Sequence, residues 1–149
     1  MKGVKSIPLI AIAAVFCISI NFFSTDAAFT VEQIESMMKP LGNNCVSKVG
    51  LSPELQEANR KKEFPEEKPF MCYLHCLARV TKVFDKNNQI DLEGTLKQVR
   101  LVMPDHLVEG SVKAYTVCSR AAISEDPCEK AFQYAKCYYE TDAPSYFYP

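Results

Sequence analysis

The sequence predicts an all-α fold of six short helices. Apolar residues recur at the spacing of one helical face along most of residues 29–149, whereas no segment alternates polar and apolar residues for long enough to indicate a strand. Only five glycines occur among the 149 residues, which argues against an all-β or loop-rich protein. Turns that contain proline or asparagine divide the helical pattern into six segments.

The first 28 residues have the form of a secretory signal peptide. Two lysines precede an almost entirely apolar stretch over residues 7–23, and small residues suited to cleavage follow. The alternative is a membrane anchor, but the stretch is short for a bilayer span and contains Ser19 and Asn21. We therefore expect residues 1–28 to be removed and residues 29–149 to form one secreted, extracellular domain.

Residues that favour helix starts support the first two helices. Thr30 and Gln33 match a capping box, and apolar residues follow them at helical spacing. Pro40 is expected to kink this first helix. Ser52-Pro53 is expected to begin the second, since proline suits the first helical position.

The other four helices are also marked by proline or by acidic residues. Pro69 precedes the third helix, Asp91 can cap the fourth, and Asp126 precedes the sixth. The expected spans are about residues 70–84, 91–103, 107–123 and 127–141. The aromatic-rich tail, residues 143–149, is expected either to fray or to pack against the helices.

The cysteine count indicates disulfides. Six cysteines remain after Cys17 leaves with the signal peptide: Cys45, Cys72, Cys76, Cys118, Cys128 and Cys137. An even number in a secreted chain is typical of three disulfides. A zinc site at residues 71–76 (MCYLHC) is the alternative, but it needs reduced cysteines and a second ligand pair, and His106 is the only other histidine.

Helix geometry limits which cysteines can pair. Cys72 and Cys76 are four residues apart, so both lie on one helical face and are poorly placed to bond to each other. Cys128 and Cys137 lie on opposite faces of the sixth helix. That helix should therefore be bonded on both sides and lie between other elements.

The cysteine spacing and two local motifs resemble the insect odorant-binding protein family, which includes pheromone-binding members. The numbers of residues between consecutive cysteines are 26, 3, 41, 9 and 8, and the intervals of three and eight are the most constant in that family. Residues 72–77 (CYLHCL) are similar to the family's C-Y-x-x-C-L stretch, and residues 126–131 (DPCEKA) resemble the segment around its fifth cysteine. The resemblance covers all of residues 29–149.

This resemblance implies three interlocked disulfides: Cys45–Cys76, Cys72–Cys128 and Cys118–Cys137. The six cysteines alone would allow fifteen pairings. Each bridge should add about 2–4 kcal/mol of stability. The resemblance also implies that the helices, held together in this way, surround one hydrophobic cavity for a small ligand.

Apolar residues at helical spacing are candidates for the cavity walls. Methionines would add adaptable surface, and tyrosine hydroxyls could orient a ligand. For any single residue the alternative is ordinary core packing, and for the tail it is a frayed end. The candidate ligand-binding residues are Met37, Leu74, Leu92, Leu96, Val99, Met103, Val108, Val112, Tyr115, Phe132, Ala135, Tyr139 and Phe147.

No residue pattern indicates catalysis, so we expect neither an enzyme nor a cofactor. Secreted phospholipases A2 also place a histidine among cysteines, but they need an aspartate directly after it and a glycine-rich calcium loop, whereas Cys76 follows His75 here. The carboxylates of residues 54–68 are interspersed with lysines, as on a solvated helical face. The formal net charge of −1 predicts no attraction to nucleic acid or anionic membranes.

These features predict a secreted carrier that binds and solubilises small hydrophobic ligands, such as odorants or pheromones, and delivers them to receptors. The predicted partners are an odorant-like ligand and an olfactory receptor, in sensillum lymph if the role is olfactory. The protein is expected to be a monomer or a weak homodimer. The alternative is a secreted interaction or defence protein of saliva or reproductive fluid, which uses the same scaffold for ligand sequestration or surface contacts.

Ligand affinity is expected to fall at acidic pH, with His106 as the switch. Histidine is the side chain that ordinarily changes charge between about pH 5 and 8. Only His75 and His106 occur, and His106 lies in the predicted turn between two wall helices, where a new charge could shift a lid. The alternative is an exposed histidine without a role.

Overall fold

The computed structural model describes residues 28–149, which form six α-helices with a single isolated β-bridge. We number the helices in chain order: α1 Val31–Val49, α2 Pro53–Arg60, α3 Lys68–Val80, α4 Leu92–Val102, α5 Asp105–Ala121 and α6 Pro127–Thr141. A short 3-10 helix, Ala143–Ser145, follows α6. The all-α prediction is confirmed for this part of the chain. The predicted signal peptide lies outside the described residues, apart from Ala28.

Side-chain caps fix where four of these helices begin. The Thr30 hydroxyl accepts a hydrogen bond from the Gln33 N–H at 3.3 Å, and the Gln33 side chain accepts one from the Thr30 N–H at 2.8 Å, which completes the predicted capping box. Ser52, Asp91 and Asp126 each accept a hydrogen bond from the N–H three residues further on. The predicted starts of α1, α2, α4 and α6 therefore agree with the structure.

Two helix ends have clear local causes. α1 continues through Pro40 and ends at Gly50, whose φ of 67° is the left-handed conformation that glycine adopts at low cost. α3 ends at Val80 rather than near Phe84, because Lys82 takes a φ of 60° and turns the chain. The chain then forms the Phe84–Ile90 bridge before α4.

Three disulfides link four of the helices, and two of them hold α6 between α3 and α5. Cys45–Cys76 joins α1 to α3, Cys72–Cys128 joins α3 to α6, and Cys118–Cys137 joins α5 to α6. These are the pairs that the family resemblance implied, and α6 is bonded on two sides as the helix geometry predicted. Because Cys72 and Cys76 are both disulfide-bonded, the MCYLHC segment holds no thiolate for a metal.

The buried apolar residues form two clusters. The main core lies where α3 packs against α1 and α6, around fully buried residues such as Phe70, Leu74 and Leu77. The second cluster joins α1, α4 and α5 through Ile34, Val99, Met103 and Leu107. Within residues 28–149, no helix is long and apolar enough to cross a membrane.

Candidate functional site

A cavity of about 280 Å³ lies between the two clusters and is enclosed by α1, α4, α5, α6 and the tail. Ile34, Met37 and Met38 of α1 form one side, and the α4 residues around Val99 form another. Met103 follows α4, and Tyr115 comes from α5. The remaining walls are Phe29, Thr81, Val83, Thr95, Gln98, Val102, Tyr134, Ala135, Tyr138, Ser145, Tyr146, Phe147 and Tyr148.

The cavity walls are uncharged. Among the described residues that line the cavity there is no Asp, Glu, Lys, Arg or His. Three of its residues are methionines, whose flexible side chains adapt to different ligand shapes. A cavity of this kind favours a compact, largely apolar and neutral molecule.

One wall is a tyrosine cluster, which consists of Tyr115, Tyr134, Tyr138 and Tyr146. The Tyr115 and Tyr138 ring centroids are 4.7 Å apart with an edge-to-face orientation. The Tyr134 and Tyr146 rings lie 6.3 and 6.0 Å from the ring of Tyr138. Such aromatic contacts hold the rings, and hence their hydroxyls, in fixed positions.

Burial controls the ionisation of this cluster. It raises the pKa of Tyr115, Tyr134 and Tyr146 well above their ordinary value of 10.0, and nearby phenolic groups raise it further. The pKa of Tyr138 is also raised by burial. All four hydroxyls therefore remain protonated at neutral pH.

The tail packs inside the molecule rather than fraying. Tyr146 is only 7% exposed and contacts the main core. The carbonyl of Tyr148 accepts a hydrogen bond from Lys62 Nζ at 2.7 Å. Pro149 O accepts hydrogen bonds from the Tyr73 hydroxyl at 2.7 Å and from the Asn59 side chain. These contacts anchor the tail against α2 and α3 and keep Tyr146, Phe147 and Tyr148 on the cavity wall.

A second cavity of about 410 Å³ lies on the other side of the tail. Tyr146, Phe147 and Tyr148 line both cavities, so the tail separates them. The walls of the second cavity include Glu35, Lys39, Arg60 and Lys62. Charged walls make it a poorer environment for an apolar ligand than the first cavity.

Six of the predicted ligand-binding residues line the first cavity. Val99 and Met103 come from the α4 side, and Ala135 comes from α6. Met37, Tyr115 and Phe147 complete the set. The structure thus brings together residues from α1, α4, α5, α6 and the tail, and their contact with a ligand stays a prediction.

Three predicted residues from α3 and α4 lie elsewhere. Leu74 has no exposed surface and belongs to the main core. Leu96 lies on the outer side of α4, in a shallow depression with Leu101 and charged residues. Leu92 is half-buried at the start of α4 and does not line the first cavity.

Four predicted residues from α5 and α6 pack next to the cavity without lining it. Val108 and Val112 are half-buried against the second cluster. Phe132 and Tyr139 contact Phe64, with ring centroids 6.3 and 5.7 Å from it. These four residues therefore pack as ordinary core residues, which is the alternative to cavity lining that the sequence analysis gives for any single candidate.

The sequence reasoning missed most of the polar wall. Tyr134 and Tyr138, four residues apart on α6, line the cavity together with Thr95 of α4. Thr81 and Val83, in the turn after α3, also line it. The i, i+4 spacing of the two tyrosines was the one available signal, since such residues share a helical face.

Neither histidine lines the first cavity. His106 is exposed in the first turn of α5, one residue before Leu107 of the second cluster. His75 is half-buried, with its Nε2 2.8 Å from Asn88 Oδ1 and its ring 5.9 Å from that of Phe84. The assignment of a pH switch to His106 stays a prediction.

The chain is similar to insect odorant-binding proteins in both sequence and structure. Residues 27–141 match the model of the PBP/GOBP family. General odorant-binding protein 72 of Anopheles gambiae is 29% identical over 123 residues, which cover 82% of this chain and all of that protein.

Two solved structures have the same fold. Odorant binding protein 5 of Apis mellifera matches with a TM-score of 0.72 and 28% identity, covering 83% of this chain and all of its own. Odorant Binding Protein 4 of Chrysopa pallens also has a TM-score of 0.72, with 27% identity over 81% of this chain and 99% of its own.

Proposed function

The chain belongs to the PBP/GOBP family, and on this premise we propose that it is a secreted carrier of one small hydrophobic ligand. The ligand binds in the first cavity and is delivered to a receptor outside the cell. One observation carries the proposal: a cavity of about 280 Å³ is lined mainly by apolar residues, methionines and tyrosines, and none of the described residues that line it is charged. No reaction is required of this site.

Burial of apolar surface provides most of the affinity. Each Å² of ligand removed from water contributes about 25 cal/mol. The loss of translational and rotational freedom offsets part of this gain. We therefore expect dissociation constants of about micromolar size for ligands that fit the cavity.

The mouth of the cavity lies beside α1. Met37 and Phe29 line the cavity and are still 47% and 39% exposed, unlike the deeper residues Val99 and Ala135. A flexible methionine at an edge can move aside at low cost. Ligand entry at this edge leaves the disulfide-linked α3, α5 and α6 in place.

Displacement of a fluorescent probe tests the proposal. The oxidised protein is titrated with N-phenyl-naphthylamine, and apolar ketones, esters and aldehydes then compete with the probe. Val99→Phe adds a ring to a buried residue of the cavity wall and should weaken probe binding at least tenfold. Val117→Phe is the matched control, because Val117 is 48% exposed and does not line the cavity.

The wild type and the Val99→Phe variant together distinguish an error in the proposed site from an error in the proposed function. Unchanged binding by Val99→Phe, with a folded circular dichroism spectrum, would place the probe elsewhere and contradict the proposed site. Failure of the wild type to bind any apolar probe would contradict the carrier function itself. A role through surface contacts, as in the alternative of a defence or interaction protein, would then be the better explanation.

A further inference from the structure

The second cavity, between α1, α2 and the tail, carries a local excess of positive charge. Lys39, Arg60 and Lys62 line it. Glu35 is the only acidic side chain among the described residues of its wall. The whole chain has 17 basic and 18 acidic residues, so the excess belongs to this cavity and not to the protein in general. The first cavity has no charged wall residue in the described part of the chain, and the two cavities therefore suit chemically different occupants.

Two of these cations have no acidic partner within residues 28–149. Arg60 is already paired, because its Nη2 lies 2.6 Å from Oε2 of Glu57, which does not line the cavity. Lys39 and Lys62 form no ion pair with a described carboxylate. Two ammonium groups of this wall are therefore available to an anion.

Lys62 is held in a defined position at the boundary between the tail and the cavity. Its Nζ donates a hydrogen bond to the carbonyl of Tyr148 at 2.7 Å and lies 5.3 Å from the centre of the Tyr146 ring. Its φ of 58° is a left-handed conformation that residues other than glycine adopt rarely. An ammonium group has several N–H donors, so the bond to Tyr148 leaves others free for a ligand.

The surroundings of Lys62 disfavour its positive charge. The residue is half-buried, and burial lowers its pKa from the ordinary value of 10.5, an effect that Glu35 offsets only in part. A cation removed from water is stabilised by an anion within hydrogen-bond distance. An anionic group beside Lys62 would supply the partner that this wall lacks.

Three neutral polar side chains of the cavity are already bonded within the protein. The Asn59 side chain and the Tyr73 hydroxyl both donate to Pro149 O. The Gln56 side chain donates to the carbonyl of Leu51 at 2.8 Å. The lysines are therefore the main groups left to recognise the polar part of a ligand.

We propose that the second cavity is a separate binding site for a small organic carboxylate, whose charged group contacts Lys62 and Lys39. Its apolar part packs against Val46, Leu51 and Phe147, which line the same cavity. The volume of about 410 Å³ lies in the range of small-molecule sites. This site goes beyond the carrier function proposed above, which concerns the first cavity alone.

Matched ligands test the role of charge. 4-Phenylbutyrate and 4-phenylbutanamide have the same carbon skeleton and differ in charge at neutral pH, and each is titrated into the oxidised protein with nuclear magnetic resonance shifts as the signal. The acid should bind about tenfold more tightly than the amide, because a hydrogen bond to a charged group is the stronger one. This advantage should shrink between about 50 mM and 500 mM NaCl through screening. Equal affinities of the acid and the amide would overturn the proposal.

Lysine variants locate the site. Lys62→Gln should reduce the advantage of the acid about fivefold, whereas Lys62→Arg, which keeps the charge, should retain most of it. Lys61→Gln is the matched control, because Lys61 is the adjacent residue, does not line the cavity and pairs with Glu57 at 3.6 Å. An equal loss in both glutamine variants would indicate attraction by general surface charge and overturn the site.

Glu35→Gln gives a prediction of opposite sign. Glu35 is exposed on α1, so its replacement should not disturb the fold. Removal of the only acidic side chain from the described wall should strengthen binding of 4-phenylbutyrate about twofold. Unchanged or weaker binding of the acid by this variant would contradict the proposed position of the carboxylate.

Val99→Phe separates the second site from the carrier function. This variant alters the first cavity and should leave binding of 4-phenylbutyrate unchanged. Loss of acid binding in Val99→Phe would move the acid to the first cavity and overturn the second site. A wild type that binds N-phenyl-naphthylamine but not the acid would also overturn the second site, and would leave the carrier function standing.

Discussion

Gly42 is a point at which the tail and α1 meet, and its replacement by alanine should have opposite effects with and without the tail. Gly42 is buried in the middle of α1. A β-carbon at this position would collide with the ring of Pro149 and approach the Tyr73 hydroxyl at 3.3 Å. The substitution therefore has two opposite effects on stability: alanine favours the helix more than glycine does, but its β-carbon displaces the tail.

The two effects have similar but unequal sizes. Alanine in a helix interior is favoured over glycine by about 1 kcal/mol. Displacement of Pro149 would disturb its hydrogen bonds from Tyr73 and Asn59, each worth about 1 kcal/mol. The full chain should therefore lose about 1 kcal/mol of unfolding free energy. A chain that lacks residues 146–149 should gain about 1 kcal/mol, so the coupling between substitution and tail is about 2 kcal/mol.

Equilibrium unfolding in urea measures both effects, with far-ultraviolet circular dichroism as the signal because the chain has no tryptophan. Gly50→Ala is the matched control. Gly50 has a φ of 67° and no neighbouring atom within 4 Å of an added β-carbon, so alanine there should cost about 1 kcal/mol in both backgrounds. Equal stabilisation by Gly42→Ala with and without residues 146–149 would refute the packing of the tail against α1.

Four other outcomes follow from the structure. The buried Tyr134 hydroxyl has no hydrogen-bond partner within residues 28–149, so Tyr134→Phe should leave the ligand-free stability unchanged or slightly raised, whereas Tyr138→Phe, which removes the hydrogen bond to Ser145, should cost about 1 kcal/mol in thermal or urea unfolding. Burial raises the pKa of Tyr73 to about 12, so the free energy of unfolding should fall as the pH rises from about 10, where tyrosines of the unfolded chain ionise, to about 12; a flat profile would contradict this. Thiol titration of residues 29–149 under denaturing, non-reducing conditions should find no free thiol, and two or more per molecule would contradict the disulfide scaffold. His106→Gln should reduce any loss of ligand affinity between about pH 7 and pH 5, and an equal loss in this variant would exclude His106 as the switch.

Helix starts were predictable from the sequence because they depend on local contacts, whereas the disulfide pairing was predictable only through the family resemblance, since the six cysteines alone allow fifteen pairings. The caps of α1, α2, α4 and α6 are contacts between residues three positions apart, so the sequence contains all of their information. The cysteine intervals matched a known framework. The end of α3 was less predictable, since it depends on the turn at Lys82 and the Phe84–Ile90 bridge.

The cavity walls were only partly predictable because a small rotation of a helix changes which residues face inward. On α6 the predicted face held Phe132, Ala135 and Tyr139, whereas Tyr134, Ala135 and Tyr138 line the cavity. The two faces differ by roughly 100° at about 100° per residue. Periodicity shows that a face is apolar but not which of two adjacent apolar or aromatic faces meets a neighbour.

The same uncertainty applies to α4, where the neighbours of the helix decide its orientation. Leu96 fits the apolar stripe of α4 and yet lies on the outer side, while Thr95 and Gln98 line the cavity. A prediction that places apolar residues inside and polar residues outside is wrong at a polar residue that lines an inner wall. The tail is a similar case, because its anchors are long-range contacts to Asn59 of α2, Lys62 in the turn that follows α2, and Tyr73 of α3.

The central claim, that a small apolar ligand binds in the first cavity, can be tested most directly by contacts between the ligand and methionine methyl groups. Met37, Met38 and Met103 line this cavity, whereas Met71 packs against the main core outside it and serves as an internal control. In nuclear magnetic resonance spectra of protein with isotope-labelled methionine methyls, bound methyl nonyl ketone should show nuclear Overhauser contacts to Met38 and Met103 and none to Met71. Contacts to Met71 alone, or saturable binding without contacts to any methionine of the cavity, would contradict the claim.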